Sequence, residues 1–340
     1  MIKTQSSLIS ILKKDKAVYP HKVSKINLEE THISWILLTG KYAYKLKKEL
    51  KFGDVLDFSN LSLRKKYCQR EVQLNKLLCP EMYEGVVKIV SYKDSIRFAD
   101  LWEKGKPLEY AVKMREIPQK YRMDYLLKQN KINKKTIDKL VSILVKFHKK
   151  TPTNAKIKKF GKPSFLFKKI NENFRTLETL TKINPKFEKT LIKFIQDNKS
   201  LFLKRIKQNK IRDIHGDLYL RNVFVINNSK FYLYDRIEFN EELRSADVAE
   251  DVAHFAMDLD FYRRPDLRKH FLTQYLAKSQ DYELELLVYF WMCYKACMRA
   301  KVTFFQTKNE QSKIKKKKLI KDAKKLLGLA ESYMNFLTSL

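Results

Sequence analysis

The chain has 340 residues, 44% of them hydrophobic, so it is long enough for one large domain or two lobes with a substantial core. Its formal net charge of +33 comes from 56 Lys and only 15 Arg. Proteins that read nucleic-acid bases rely on arginine forks, so this lysine excess is more typical of compositional bias than of base recognition. An anionic partner (a nucleotide, a nucleic acid or a membrane surface) stays open.

The cysteines and apolar segments indicate the compartment. Cys68, Cys79, Cys293 and Cys297 form no C-x-x-C motif, and the apolar run at 286–294 is less than half a membrane span. The N-terminus has no cleavage site of the signal-peptide type. These features predict a soluble, cytoplasmic protein with reduced thiols.

The first third of the chain has the pattern of a small antiparallel sheet with one helix. Residues 22–52 alternate and are rich in strand formers, with a turn at Gly40 and Lys41. Residues 59–78 begin with cap candidates and continue with apolar residues near helical spacing. The segments VVKIVSY, SIRFADL and EYAVKMREI predict three further strands, the last ending at Pro118.

Beyond this proline the chain is mainly helical. Residues 133–150 have an amphipathic helix pattern, and 164–210 and 266–338 continue as helices. We therefore expect a β-rich lobe at 1–116 and a helical lobe at 117–340.

One segment reverses the charge balance of the chain. Residues 211–262 contain eleven Asp and Glu but only five Lys and Arg. Within it, two strand-forming runs flank the turn formers at 227–230, which predicts a β-hairpin with Asn222 opposite Asp235. Cross-strand partners lie about 5 Å apart, so this amide oxygen and carboxylate suit Mg²⁺, with phosphate and water completing its coordination.

Asp217 lies just before the first hairpin strand, in a loop with His215 and Gly216. The chain has only seven glycines, so a glycine here indicates a backbone conformation that other residues do not easily adopt. The loop would hold Asp217 near the metal pair without making it a ligand, where it could accept a hydroxyl proton. The alternative interpretation is structural: a capping Asp, a turn Asn and a surface Asp.

These residues carry a resemblance. HGDLYLRN (215–222) resembles the catalytic loop of protein-kinase-like enzymes, in the H-G-D form of aminoglycoside phosphotransferases and choline kinases, and YLYDRIEF (232–239) is similar to their metal-binding strand. Most of the chain is similar to an uncharacterised bacterial group of such kinases. Some members of that group add a P-loop ATPase domain after the kinase, whereas this chain has no G-x-x-x-x-G-K-[ST] and resembles the kinase module alone.

The resemblance implies an α+β, bilobal protein-kinase-like fold, with a small antiparallel sheet and one helix in the N-lobe and a larger, mainly helical C-lobe. It also implies that Asp217 is the catalytic base, that His215 organises the loop by a hydrogen bond, and that Asn222 and Asp235 bind Mg²⁺.

In the N-lobe, the resemblance assigns Lys45 of AYKL to the ATP phosphates, with Lys47 on the same strand face as a rival. Glu71 is the expected partner of that lysine, against the alternative of an ordinary solvent-facing Glu. The hinge that binds adenine through its backbone would comprise Lys113, Met114 and Arg115.

The glycine-rich loop of kinases is missing. Its place is taken by EETHIS (29–34), in which the hydroxyls and backbone N–H groups of Thr31, His32 and Ser34 could contact phosphate. Glu238 could support the metal shell or be an exposed strand residue.

Two further assignments concern the C-lobe. An Asp at the start of the helix after the hairpin would tether the catalytic loop, and Asp247 and Asp251 are both candidates. His148 is expected to be a packing histidine at a helix end.

The expected function is an ATP- and Mg²⁺-dependent phosphotransferase, a kinase that moves the γ-phosphate to an acceptor hydroxyl. A small-molecule acceptor is favoured over a protein, because the chain enters a helix soon after Asp235 without an activation segment. A polycationic aminoglycoside is a poor candidate, since a protein of charge +33 repels it. The alternatives are a metal-dependent hydrolase and a non-catalytic protein that binds nucleic acid or a membrane surface through the Lys-rich helix at 313–325.

Overall fold

A computed structural model describes residues 4–53, 55–92, 95–227 and 229–339 of the chain, and it has the α+β composition that the sequence predicts. The strands are β1 (Asn27–Glu30), β2 (Ser34–Leu38), β3 (Tyr42–Lys47), β4 (Lys51–Phe52), β5 (Leu56–Asp57), β6 (Tyr83–Tyr92), β7 (Ser95–Asp100), β8 (Pro107–Arg115), β9 (Ile211–Asp213), β10 (Val223–Ile226), β11 (Lys230–Leu233) and β12 (Ser245–Asp247). The helices are α1 (Gln5–Lys14), α2 (Leu61–Asn75), α3 (Met123–Lys128), α4 (Lys134–Lys150), α5 (Ala155–Lys158), α6 (Pro163–Glu178), α7 (Lys186–Asp197), α8 (Lys199–Lys207), α9 (Glu241–Arg244), α10 (Val248–Phe261), α11 (Pro265–Ser279), α12 (Leu284–Asn309) and α13 (Lys313–Thr338).

The chain divides into two compact units. Unit 1 comprises Met1–Tyr121 and Phe231–Glu241, and unit 2 comprises Arg122–Lys230 and Glu242–Leu340. The functional division into lobes at 1–116 and 117–340 stays a prediction.

Unit 1 is built on a six-stranded sheet with the order β1-β2-β3-β8-β6-β7, in which all neighbouring strands are antiparallel. Side chains of β3 alternate between the two faces of this sheet. Tyr44 and Leu46 enter an apolar core that also receives α1, so Lys45 and Lys47 share the opposite face. The strand thereby presents two lysines side by side.

Helix α2 packs on β6 and β8. It begins after Asn60, whose side chain accepts the N–H of Leu63 at 2.9 Å and so satisfies one of the free donors of the first turn. The helix ends at Asn75, and Cys68 and Glu71 are on its buried face. A mid-helix glutamate is therefore held inside unit 1.

Helix α1 has no counterpart among the sequence predictions. Thr4 and Ser7 form a capping box at its start, with the Thr4 hydroxyl accepting the Ser7 N–H at 3.1 Å. A polar residue three positions after an N-cap is the signal that would have identified this helix.

Unit 2 is mainly helical and is organised around α10, in which almost every side chain from Val248 to Leu259 is buried. Helix α10 contacts α11, α12 and α13, while α12 packs on α13 and α6. Strands β9 and β12 pair antiparallel and lie just before the catalytic-loop sequence and α10 respectively. This pairing brings the two segments together within unit 2.

The two strands predicted around the 227–230 turn are present as β10 and β11. Lys230 already belongs to β11, so this loop is one residue shorter than expected. The predicted facing of Asn222 and Asp235 stays a prediction, since both residues lie beyond the strand ends.

Among the described residues, none of the helices combines the length and apolarity that crossing a bilayer requires. The four cysteines are buried free thiols, as predicted. Residues 313–318 of α13, in the Lys-rich segment, are exposed.

Candidate active site

A network of buried charges lies within unit 1, between β3, α2 and the segment after β11. The Lys45 ammonium donates to Glu71 Oε1 at 2.8 Å and to Asp235 Oδ1 at 2.6 Å. The Lys47 ammonium donates to Glu71 Oε2 at 2.8 Å and also to Glu238. We call these five side chains the buried charge network, in which Glu71 joins the two lysines through its two oxygens.

Burial differs among these side chains. Those of Glu71 and Lys47 are 0% exposed, whereas the Asp235 carboxylate is 40% exposed. Asp235 is thus the member of the network whose carboxylate is open to solvent and can bind a further ligand.

The pairing keeps Lys45 and Glu71 charged. Burial lowers the pKa of Lys45, but the carboxylates of Asp235 and Glu71 outweigh it and raise that pKa well above its ordinary value. Burial likewise raises the pKa of Glu71, but the two lysines reverse the effect and bring that pKa below its ordinary value. A permanent buried cation next to an open carboxylate is suited to a polyphosphate and its metal ion.

The segment carrying Asp235 is fixed by backbone contacts. The N–H of Arg236 donates to Asn75 Oδ1 at 2.9 Å, and the N–H of Asp235 donates to the Tyr83 hydroxyl at 3.3 Å. Asp235 has a φ of 65°, a left-handed conformation that is uncommon for residues other than glycine. Local strain of this kind concentrates at functional sites.

These contacts resolve two alternatives left open by the sequence. Glu71 and Glu238 are both buried and ion-paired, so neither is an ordinary solvent-facing glutamate. Lys45 and Lys47 both contact Glu71. The Lys45 ammonium also contacts Asp235. Their assignment was ambiguous because alternate residues of a strand share a face.

The turn between β1 and β2 closes without glycine. The Thr31 hydroxyl accepts the Ser34 N–H at 3.0 Å, and the Thr31 N–H donates to the Ser34 carbonyl at 2.9 Å. None of residues 31–33 has a positive φ, so this turn does not need a glycine. The Ser34 hydroxyl is buried and has no hydrogen-bond partner among the described residues. Its predicted contact with phosphate stays a prediction.

The predicted hinge residues lie at the end of β8. Lys113, Met114 and Arg115 pair with β3, and the Arg115 N–H donates to the Met82 carbonyl at 2.8 Å. The backbone N–H of Arg115 is therefore already used within unit 1. The predicted contact of residues 113–115 with adenine stays a prediction.

In unit 2, the loop of the H-G-D sequence is tethered to α10. Gly216 has a φ of 87°, the conformation expected from its rarity in the chain. The N–H groups of His215 and Gly216 donate to the Asp251 carboxylate at 2.7 Å and 2.9 Å. His148 was predicted as a packing histidine at a helix end. It is buried at the end of α4 and is also hydrogen-bonded, with Nε2 3.2 Å from the same carboxylate and Nδ1 2.8 Å from the Tyr275 hydroxyl.

Asp247 has a different role from Asp251. It caps α10 by accepting the Ala249 N–H at 2.9 Å and pairs with the Arg205 guanidinium at 2.5 Å. Of the two candidates for the tether, the geometry therefore selects Asp251.

Asn222 is held close to Asp217. Its amide nitrogen donates to the Asp217 carbonyl at 2.9 Å and to the Asp217 carboxylate at 3.2 Å. This orientation turns the amide oxygen away from Asp217, as a metal ligand requires. An amide oxygen and an open carboxylate are hard donors of the kind that Mg²⁺ prefers, so Asn222 and Asp235 each suit the predicted ion by their chemistry, and their shared site stays a prediction. Among the described parts of the chain, no group of three or more His, Cys, Asp or Glu side chains could hold a metal by itself.

A second set of side chains surrounds this loop and was missed by the sequence reasoning. His254 Nδ1 lies 3.9 Å from Asp217 Oδ1, and its ring stacks on Tyr219 with centroids 5.6 Å apart. The Arg299 guanidinium carbon lies 3.9 Å from the Tyr219 ring centroid. The Asp258 carboxylate accepts the N–H of Leu220 at 2.9 Å.

A sequence signal for part of this set exists. Asp251, His254 and Asp258 recur at helical spacing in α10, behind its N-cap Asp247, and the other residues of the helix are mostly apolar. A polar stripe on a buried helix indicates that these side chains serve a neighbouring loop.

Asp258 makes stability depend on pH. Burial raises its pKa to about 6, above the value of about 3.9 for an unperturbed Asp. Above this pKa the folded protein holds a buried negative charge, which lowers the free energy of unfolding. This cost disappears as pH falls from about 6 towards 4.

Asp258→Asn keeps an acceptor for Leu220 and removes the charge. It should raise the free energy of unfolding by about 2 kcal/mol near pH 8, and by much less near pH 5. Urea unfolding at the two pH values tests this, and an equal change at both would contradict it.

Comparison with known proteins places the fold. No protein-family model matches the chain. It is 29% identical over 283 residues to uncharacterised proteins of Mycobacterium bovis and Mycobacterium tuberculosis, in an alignment that covers 82% of this chain and 54% of each relative. The chain thus spans about half the length of the curated relatives it matches.

Solved structures of kinases share the architecture. Choline kinase from Cryptosporidium parvum matches with a TM-score of 0.53 at 10% identity, covering 99% of this chain and 97% of that one. Plasmodium vivax ethanolamine kinase matches with a TM-score of 0.52 at 14% identity, covering 97% and 89%. The GDP complex of aminoglycoside 2'-phosphotransferase-IIIa matches with a TM-score of 0.52 at 13% identity, covering 97% and 99%.

At these identities the likeness shows the fold. The chain shares the fold of these choline, ethanolamine and aminoglycoside kinases, which is the fold implied by the resemblance of HGDLYLRN and YLYDRIEF.

Proposed function

We propose that the protein is a phosphotransferase that transfers the γ-phosphate of ATP to the hydroxyl of an acceptor. The observation that supports this most strongly is the buried charge network, in which Lys45 pairs with Glu71 and with the half-exposed Asp235. A purely structural ion pair has no need for a partly open carboxylate in a left-handed backbone conformation.

In this function Lys45 binds the α- and β-phosphates, and Glu71 holds the lysine in place. Lys113, Met114 and Arg115 supply the backbone beside the adenine, and Ser34 contributes a hydroxyl towards the phosphates. The nucleotide in the structure of aminoglycoside 2'-phosphotransferase-IIIa, GDP, supports nucleotide use without deciding between ATP and GTP.

Asn222 and Asp235 would hold Mg²⁺. When bound, this ion neutralises the charge of the phosphates during transfer. The Asp235 carboxylate already accepts from Lys45, so binding of a metal requires a shared or exchanged contact at this carboxylate. Both residues are small oxygen donors of the kind that the ion prefers.

Asp217 is the general base of the proposal. Its carboxylate is 34% exposed and lies in a loop fixed by Asp251, so it can meet a hydroxyl while keeping a defined position. The contact with the Asn222 amide orients it further. His215 contributes through its backbone N–H, which fixes the loop.

The first experiment is a thermal-shift measurement with ATP, with and without Mg²⁺. The wild type should be stabilised by Mg²⁺ and ATP together, by about 2.7 kcal/mol at a ligand concentration of 100 times Kd. Asp235→Ala should lose the Mg²⁺-dependent part of the shift, measured against its own unliganded Tm. Asp100→Ala is the matched control, because Asp100 is an exposed carboxylate at the end of β7 in the same unit.

The outcomes separate the alternatives. If the wild type shows no nucleotide-dependent shift, the phosphotransferase proposal fails and the non-catalytic protein with a basic binding surface takes its place. A metal-dependent hydrolase would need Asp235 but no strand lysine, so Lys45→Met would leave its activity intact and would abolish that of a kinase.

A further inference from the structure

The chemistry of the acceptor can be approached from the side chains around Asp217 in unit 2. Arg299 lies on α12 with its guanidinium over the Tyr219 ring at 3.9 Å, and Tyr219 is two residues from Asp217. Tyr219 and Arg299 are both half-buried, so one side of this pair remains accessible. The guanidinium of Arg299 therefore lies near the proposed base, Asp217, and can be reached by a small molecule.

Arg299 differs from the buried arginines Arg64 and Arg205 in having no close counter-ion. Arg64 pairs with Glu109 at 2.9 Å, and Arg205 pairs with Asp247 at 2.5 Å. Among the residues described by the structure, no carboxylate lies within 4.0 Å of the Arg299 guanidinium, although Asp217 and Asp258 act on it from further away. Burial lowers the pKa of Arg299, but Tyr219, Asp258 and Asp217 outweigh it and raise that pKa, so the guanidinium stays charged and can pair with a bound anion.

Nearby carboxylates are already committed to other partners. Glu250 accepts from Lys169 at 2.5 Å and from Lys295 at 3.1 Å, so two lysines share its single charge. Asp258 is buried and accepts a backbone N–H. A cationic acceptor would therefore have to compete with these partners for Glu250 or Asp258.

His254 is the second independent observation. Its side chain is fully buried next to Asp217, and neither ring nitrogen has a hydrogen-bond partner among the described residues. Burial, together with the positive charges of Lys295 and Arg299, lowers the pKa of His254 well below its ordinary value. The imidazole is therefore neutral at physiological pH and adds no positive charge beside Arg299.

We propose that the acceptor carries an anionic group, a phosphate or a carboxylate, which the Arg299 guanidinium binds while Asp217 accepts the proton of the acceptor hydroxyl. The planar fork of arginine matches two oxygens of either group. The transfer forms a bond between the acceptor oxygen and the γ-phosphorus and breaks the bond from that phosphorus to the β-phosphate, so ADP leaves and the proton stays on Asp217. This inference rests on the proposed phosphotransferase function.

The test uses four three-carbon probes that differ mainly in charge: glycerol, glycerate, glycerol phosphate and aminopropanediol. Their binding to the full chain, loaded with Mg²⁺ and a non-hydrolysable ATP analogue to fill the nucleotide site, is measured by calorimetry. Three proteins are compared with the wild type: Arg299→Gln, Arg299→Lys, and Lys316→Gln as a control that removes one exposed charge from α13. The Tm of each unliganded protein checks that it is folded.

The anionic probes should bind to the wild type and to the control, and should bind Arg299→Gln roughly tenfold to a hundredfold more weakly. Arg299→Lys should recover part of the affinity, because it restores the charge without the fork, and it serves in place of Arg299→Gln if that variant does not fold. The relative affinities of glycerate and glycerol phosphate distinguish a carboxylate from a phosphate.

Three results would overturn the inference: tightest binding of aminopropanediol, equal anion binding by the wild type and Arg299→Gln, or no saturable binding of either anionic probe. A failure of the proposed phosphotransferase function would give a different result. If the ATP analogue does not bind, the phosphotransferase proposal fails, and the probes are then measured without nucleotide to test Arg299 as an anion site alone.

Discussion

Asp217→Asn is expected to lower the rate of phosphoryl transfer by about 10²–10⁴-fold, because an amide cannot accept the proton of the acceptor hydroxyl. The substitution preserves size, and its amide can still lie against Asn222. The Mg²⁺-dependent stabilisation by ATP should therefore be retained. The rate is measured as acceptor-dependent ATP consumption, using an acceptor identified by screening the wild type.

Asp197→Asn is the control for this measurement, since Asp197 is an exposed carboxylate on α7 that pairs with Lys193. It should leave the rate unchanged. A rate for Asp217→Asn within threefold or so of the wild type would remove Asp217 from the role of general base, given the size of effect that general bases contribute.

Glu71→Ala is expected to destabilise unit 1 by about 3–5 kcal/mol, because it leaves two buried ammonium groups without their shared partner. Lys45 would keep Asp235 and Lys47 would keep Glu238, but both would lose the carboxylate that is 0% exposed. The free energy of unfolding is measured by urea denaturation of the variant and the wild type.

A surface position on the same helix provides the comparison. Gln69 is exposed on α2, and Gln69→Ala should change the free energy of unfolding by less than about 0.5 kcal/mol. If Glu71→Ala cost no more than this control, the network would be a weak surface-like pairing rather than a buried one.

The buried charge network also suggests why two lysines are present where a kinase-like strand needs one. Lys47 and Glu238 form an ion pair that is buried on both sides, with side-chain exposures of 0% and 3%. This pair joins β3 to the segment that follows Asp235. It thereby restricts the position of the Asp235 carboxylate relative to Lys45.

Much of the fold was predictable from local sequence patterns. The alternation in β3, the cap at Asn60 and the turn formers after β10 are short-range signals, and each marks an element found in the structure. Helix α1 is a local element that was not predicted, although the capping box of Thr4 and Ser7 at its start is a short-range signal of the same kind.

The candidate site was predictable where residues lie close together in the chain. The sequence from His215 to Asn222 carries a loop whose members contact each other directly, and its glycine has the positive φ that its rarity indicated. Such spacing is visible without a structure, since the interacting groups are a few residues apart.

What the sequence determined by itself was therefore most of the elements, the fold class and the chemical groups of the H-G-D loop. Tertiary structure decided which of two equivalent candidates acts: Asp251 rather than Asp247 as the tether, and Lys45 rather than Lys47 beside Asp235. It also brought Arg299 next to Tyr219 across a separation of eighty residues. Periodicity specifies the face on which a side chain lies, but packing between distant elements determines which partner that face meets.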